Sequence, residues 1–272
     1  MLSLGIAVTL AAAVLATSFV SGIFGMAGGM ILLGILLALM PLAAAMVLHG
    51  LTQMVANGWR AWLWGGHILW PVVGRYSAGA LAAMLVVAAA GVAVDKPLTL
   101  LALALMSFTG LLLPGWLAPR ITGRGQAVCC GGLCTLFQLV AGVAGPIFDV
   151  FFVRAGLERR QVVATKAAIQ VIGHALKVLY FVRLTPEAGV APLAIALAML
   201  LAPVGTQLSR YVLEALSEQQ FRTWSRGLIA AVATVYLVEA LLPLAPGQPT
   251  SAHSRFREAS IVGTIQAAPR RV

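Results

Sequence analysis

The sequence predicts an all-α polytopic membrane protein, and three observations carry that prediction. Hydrophobic residues make up 61% of the 272 positions and charged residues only 10%, too few charges to build a soluble surface. Mean hydropathy is +0.97. Apolar segments recur along nearly the whole chain, each approaching the ~20 residues that cross a hydrocarbon core. Helices follow, because lipid cannot satisfy open backbone groups. An outer-membrane barrel would show alternating segments of about ten residues, a pattern missing here.

The elements run in a regular order. An apolar stretch from Leu2 to Met40 is broken by Ser21-Gly22-Ile23-Phe24-Gly25-Met26-Ala27-Gly28-Gly29. It lacks a basic leader and is too long for a signal-peptide core, so it reads as structure. Spans are predicted near 43–64, 71–94 and 97–117. A polar linker over 118–127 contains Pro119, Arg120, Gly123, Arg124 and Gly125. A second apolar stretch, 128–153, is broken at Gly142-Val143-Ala144-Gly145-Pro146, and spans follow near 161–182, 190–211 and 221–243. The tail over 244–272 is polar and basic (Arg255, Arg257, Arg270, Arg271). It is expected to be flexible and able to meet anionic lipid.

This order is a repeat: a broken segment and three spans over 1–117, then again over 128–243. Gly22 and Gly25 correspond to Gly142 and Gly145. His49, Gln53, Asn57 and Arg60 line up with Lys166, Gln170, His174 and Lys177, the second copy being three residues shorter between the two blocks. If each broken segment is a re-entrant hairpin, the halves are inverted. Arg75, Arg120, Arg124, Arg154, Arg159, Arg160, Arg210 and Arg222 then share one side, and the opposite connections hold only Lys96 and Arg183. The positive-inside bias therefore favours inverted repeats in a bacterial-type cytoplasmic (inner) membrane. The basic tail falls on the opposite side.

Two features carry chemistry. The first is a polar stripe within apolar helices. Gln53, Asn57 and Arg60 are spaced to share one face, and His49 extends it by a turn. Lys166, Gln170, His174 and Lys177 do the same. A cation at the centre of a bilayer helix costs roughly 2.5–3.5 kcal/mol on insertion scales, so such residues usually line a pathway or site. Among the apolar segments only Asp149 and Glu239 are acidic. The resulting surplus of positive charge points to a small anionic substrate, and Asp149 is the candidate for ion coupling. Snorkelling of Arg60, Lys166 or Lys177 to the headgroups is the plainer alternative. The second feature is the pair of breaks. Gly25, Gly28 and Gly29, then Gly142, Gly145 and Pro146, would open half-helices whose N-termini attract anions. Close helix packing through small residues is the competing explanation.

Other classes are less well supported. The net charge of +10 is explained by the positive-inside bias, so no nucleic-acid partner is expected. No Walker motif and no HExxH occurs, and neither a cofactor nor a bound metal is implied. Cys129, Cys130 and Cys134 head one span. Paired with His174 they offer the one alternative function, an intramembrane Cys/His enzyme. Small buried packing residues are the simpler reading. Trp59, Trp62, Trp64 and Trp70 mark an interfacial belt. The partners implied are the lipid bilayer and the anion; oligomeric state is left open.

The glycine break followed by a polar helix, twice over, resembles the TauE/SafE sulfite exporter family, also called the sulfonate uptake permease group. Gly142-Val143-Ala144-Gly145-Pro146, Gly156-Leu157, Val163-Ala164-Thr165 and Pro203-Val204-Gly205-Thr206-Gln207-Leu208 carry the resemblance, which spans about 15–243. It implies a transporter of sulfite, organosulfonates or related organic anions, and adds Thr165 to the substrate-binding candidates. Met26 and Ala27 replace glycine, Lys166 replaces a small residue, and Leu48-His49 replaces a small hydroxyl pair. These departures leave the particular anion open, Lys166 above all.

Overall fold

Among the described residues, ten α-helices, set out by a computed structural model, account for the predicted spans. The structure describes residues 3–91, 94–112, 118–184 and 189–241. Among these the helices are α1 (Leu4–Phe24), α2 (Ala27–Leu39), α3 (Leu42–Leu63), α4 (Trp70–Ala90) and α5 (Lys96–Leu112), then α6 (Gln126–Val140), α7 (Gly145–Phe152), α8 (Arg159–Leu184), α9 (Pro192–Ala215) and α10 (Glu218–Leu241). No strand occurs among the described residues. The span ends predicted at 113–117 and 242–243, and the tail over 244–272, lie outside the described residues.

Five helices, α1, α4, α8, α9 and α10, are long and apolar enough to cross a membrane. Their outward side chains, such as Leu4, Leu85, Leu200 and Val238, are exposed and apolar, as a lipid-facing surface requires. Helix α3 has crossing length at 22 residues, but the polar stripe dilutes its hydropathy. Helices α2 and α7 are short, 13 and 8 residues, about 20 Å and 12 Å at helical rise. Each begins just beyond a glycine break.

The breaks have a common backbone cause. Gly25 closes α1 with φ of +72°, and Gly142 follows α6 with φ of +77°. L-residues with a Cβ pay a steric penalty in that region. Of the first break's Gly22 and Gly25, only Gly25 has a positive φ. Gly22 lies inside α1 against Ser209 of α9, and the residue in the conformation of Gly142 is Gly25. The separation from 25 to 142 equals that from His49 to Lys166, so the three-residue shortening is not needed.

Packing then orders the helices. α3 lies against α8, α1 against α9, α4 against α6, and α5 against α10. Gly50 faces Val178 while Gly58 faces Val171, so α3 and α8 run antiparallel. At the end of α3, Trp62 is exposed, while the indole of Trp59 donates to Gln207 Oε1 of α9 at 3.0 Å.

Candidate functional site

A small cavity lies where the two breaks meet. Its volume of about 20 Å³ is enough for about one water molecule. From the first half it is lined by Gly25, Met26 and Gly29 at the start of α2, and by His49 and Gln53 of α3. From the second half, Val143, Ala144, Gly145 and Phe148 at the start of α7 complete the wall with Gln138 of α6 and Gln170 and His174 of α8. Two helix N-termini therefore open onto one space, each bringing positive partial charge, although at α7 the second residue is Pro146 and the N–H groups of Ile147 and Phe148 are bonded to the Ala144 carbonyl.

The histidines are fixed by their neighbours. His49 Nε2 lies 2.9 Å from the carbonyl of Gly29. A carbonyl only accepts, so Nε2 carries the hydrogen. Nδ1 of His49 then accepts from Lys177 Nζ at 2.6 Å. Gln138 Nε2 donates to His174 Nδ1 at 2.7 Å. The two rings meet edge to face, with centroids 5.4 Å apart. Two amide atoms, Gln53 Nε2 and Gln138 Oε1, are buried with no hydrogen-bond partner among the described residues. The Gln53 amide sits against Gly29, on the first turn of α2.

The cations do not line this cavity. Arg60 is 8% exposed and Lys177 is fully buried, so neither snorkels. The Arg60 guanidinium donates to Ser21 O at 2.9 Å and to Asn57 Oδ1 at 3.2 Å. Asn57 donates in turn to Gln53 O at 2.9 Å. Lys177 donates to Gly142 O at 2.9 Å as well as to His49. Ser21 O ends α1 and Gly142 O lies in the break after α6. Each cation thus caps the negative end of a broken helix, a standard stabilisation of orphan carbonyls. Lys166 forms an ion pair with Asp149. The expected surplus of free positive charge is therefore taken up by carbonyls, a ring nitrogen and one carboxylate.

Of the predicted site residues, Gly25, His49, Gln53, Gly145, Gln170 and His174 come together at the cavity. Asn57, Arg60 and Lys177 stand behind it. Gly28 packs against the α1 backbone at Thr17 and Ser21. Thr165 Oγ1 accepts from the Leu69 N–H at 3.0 Å, tying α8 to the start of α4. Gln138 was missed. Its signal was a single amide inside the apolar α6, four residues before Gly142. The thiols of Cys130 and Cys134 are buried 3.7 Å apart, on one face as their spacing predicts, and Cys129 is exposed.

Residues 10–236 match the sequence model of a family described as Sulfite exporter TauE/SafE. The chain belongs to the TauE/SafE family. No curated protein and no solved structure matches it. TauE/SafE membership joins five helices of crossing length to make this a multi-pass membrane protein of a transporter family. The TauE/SafE match takes in both breaks, both polar stripes and every residue lining the cavity.

Proposed function

We propose that the chain is a secondary transporter of small anions such as sulfite and organosulfonates, with the cavity between the breaks as its binding site. One observation carries this reading. The N-termini of α2 and α7 open onto the same space, and the buried Gln53 amide beside them has a free N–H. Helix N-termini favour negative charge, and a free amide donor there suits an oxyanion oxygen. Gln53, Gln170, His49, His174, Gly25 and Gly145 form the site. Arg60 and Lys177 hold the broken helices in place around it.

Alternating access follows from two inverted repeats over 1–117 and 128–243. Support comes from three sides. The break glycines and the polar stripes share one offset. The packing of α1 on α9 has a counterpart in α6 on α4, and α3 on α9 has one in α8 on α4. Finally, α3 and α8, which carry the two stripes, run antiparallel, as an inverted repeat would require. Positive-inside charge then puts the protein in a bacterial-type cytoplasmic membrane.

Counterflow of labelled sulfite and methanesulfonate in proteoliposomes tests the reading. Saturable exchange, lowered at least tenfold by Gln53→Met, is expected. Exchange no faster than in protein-free liposomes, for both anions, would overturn it.

A further inference from the structure

The ion pair between Lys166 and Asp149 has no counterpart in the first half. At the spacing that relates the two stripes, Lys166 falls opposite His49 and Asp149 opposite Leu32. The pair is placed at the edge of the cavity. Asp149 directly follows Phe148, a lining residue, and Lys166 lies one helical turn before Gln170, another. Lys166 Nζ also lies 6.0 Å from the centre of the Phe152 ring. Exposure differs between the partners: 48% for the Asp149 side chain against 16% for Lys166. Lys166 is thus a cation beside the cavity whose partner is a carboxylate, a group that a proton can neutralise. Arg60 is bound to two carbonyl oxygens, and Lys177 keeps the Gly142 carbonyl even where a proton takes its place on His49 Nδ1.

We propose that this pair ties one proton to each anion carried, by exchanging the Asp149 carboxylate for the substrate on Lys166. The inference rests on the transport reading above. In the resting state Asp149 carboxylate and Lys166 ammonium neutralise each other. An anion arriving at Lys166 without a proton would leave two negative charges around one positive charge at low dielectric, which is costly. A proton taken up on the Asp149 carboxylate removes the excess. The balance is one proton and one monoanion in, giving a neutral carboxylic acid and an ammonium–anion pair. Net charge at the site is unchanged, so the coupled step is electroneutral.

Few other groups can take the proton's place. Helix α7 packs against α5 and α6. Beyond Lys96 at its start, α5 carries no titratable side chain, and α6 carries only its three cysteines, of which Cys134 lies within electrostatic reach of Lys166. Lys166 faces Asp149 from α8. Arg154 follows α7 and has partners of its own. The nearest titratable groups in the cavity are His49 and His174, and they belong to the Lys177 and Gln138 bonds.

Proteoliposomes of the full chain, loaded with a pH-sensitive dye, test the proposal with methanesulfonate, which stays ionised and cannot bring the proton itself. Influx through the wild type is expected to acidify the lumen by about one proton per anion, at a rate insensitive to membrane potential. Asp149→Asn is expected to lose this acidification. Its binding of methanesulfonate in detergent becomes independent of pH, where wild-type affinity falls as pH rises. Lys166→Gln is expected to weaken binding at least tenfold. Wild-type flux without protons would overturn the coupling and leave the transport reading standing. The same follows if Asp149→Asn keeps the wild-type ratio or the wild-type pH dependence of binding. Failure of every anion to bind or move would overturn both.

Discussion

Lys177 Nζ lies 2.9 Å from the carbonyl oxygen of Gly142, joining a fully buried ammonium to the backbone at a helix break. The same nitrogen donates to His49 Nδ1. Lys177→Met would therefore orphan two buried acceptors at once. Each unsatisfied group costs about 1–3 kcal/mol. Thermal unfolding in detergent should show a lowered midpoint, together with at least a tenfold loss of anion flux. An unchanged midpoint would mean that the break does not depend on this bond.

Arg60 makes the corresponding contact in the first half with different chemistry. Its planar fork reaches Ser21 O and Asn57 Oδ1 together, and a lysine cannot hold both directions. Arg60→Lys should therefore keep the α1 cap but release Asn57, with a smaller loss than Lys177→Met, about 1 kcal/mol for one hydrogen bond. Comparing unfolding midpoints of the two variants checks the order.

Gln53 should behave in the opposite way. Its Nε2 has no partner among the described residues, so Gln53→Met removes an unsatisfied donor. Replacing such a group with an apolar one of similar shape is close to neutral or stabilising. Flux should fall at least tenfold with the unfolding midpoint unchanged or raised. A lowered midpoint with normal flux would make Gln53 a structural amide and remove it from the site.

These contrasts mark what was legible in the sequence. Glycine clusters and polar stripes stand out inside apolar spans, because both are costly there unless something compensates. That made the breaks, the paired stripes and the helix order readable. The compensating partners were not. Ser21 O and Gly142 O are backbone atoms with no sequence signature, so Arg60 and Lys177 read as free charge awaiting an anion. Asp149 of α7 meets Lys166 of α8 across 17 residues of chain, a contact that helical spacing does not announce. Gln138 was overlooked for being a lone amide outside either stripe. Gly22 was mistaken for a break residue because spacing alone cannot reveal which glycine takes a positive φ.

Gly25 and Gly142 allow strain to be separated from crowding. Both have φ above +70°, a region that glycine enters freely and a residue with a Cβ does not. A Cβ on Gly25 would meet nothing within 4 Å, whereas one on Gly142 would lie 2.6 Å from Leu33 Cδ2 and 2.7 Å from Met46 Sδ. Gly25→Ala should therefore show the backbone cost alone. Gly142→Ala should show the same strain plus overpacking, typically a further ~1–3 kcal/mol. Gly142→Ala is therefore expected to unfold at a lower midpoint than Gly25→Ala. Equal midpoints for the two alanine variants would mean that the Leu33 and Met46 side chains swing aside freely, and that backbone conformation alone demands glycine at both breaks.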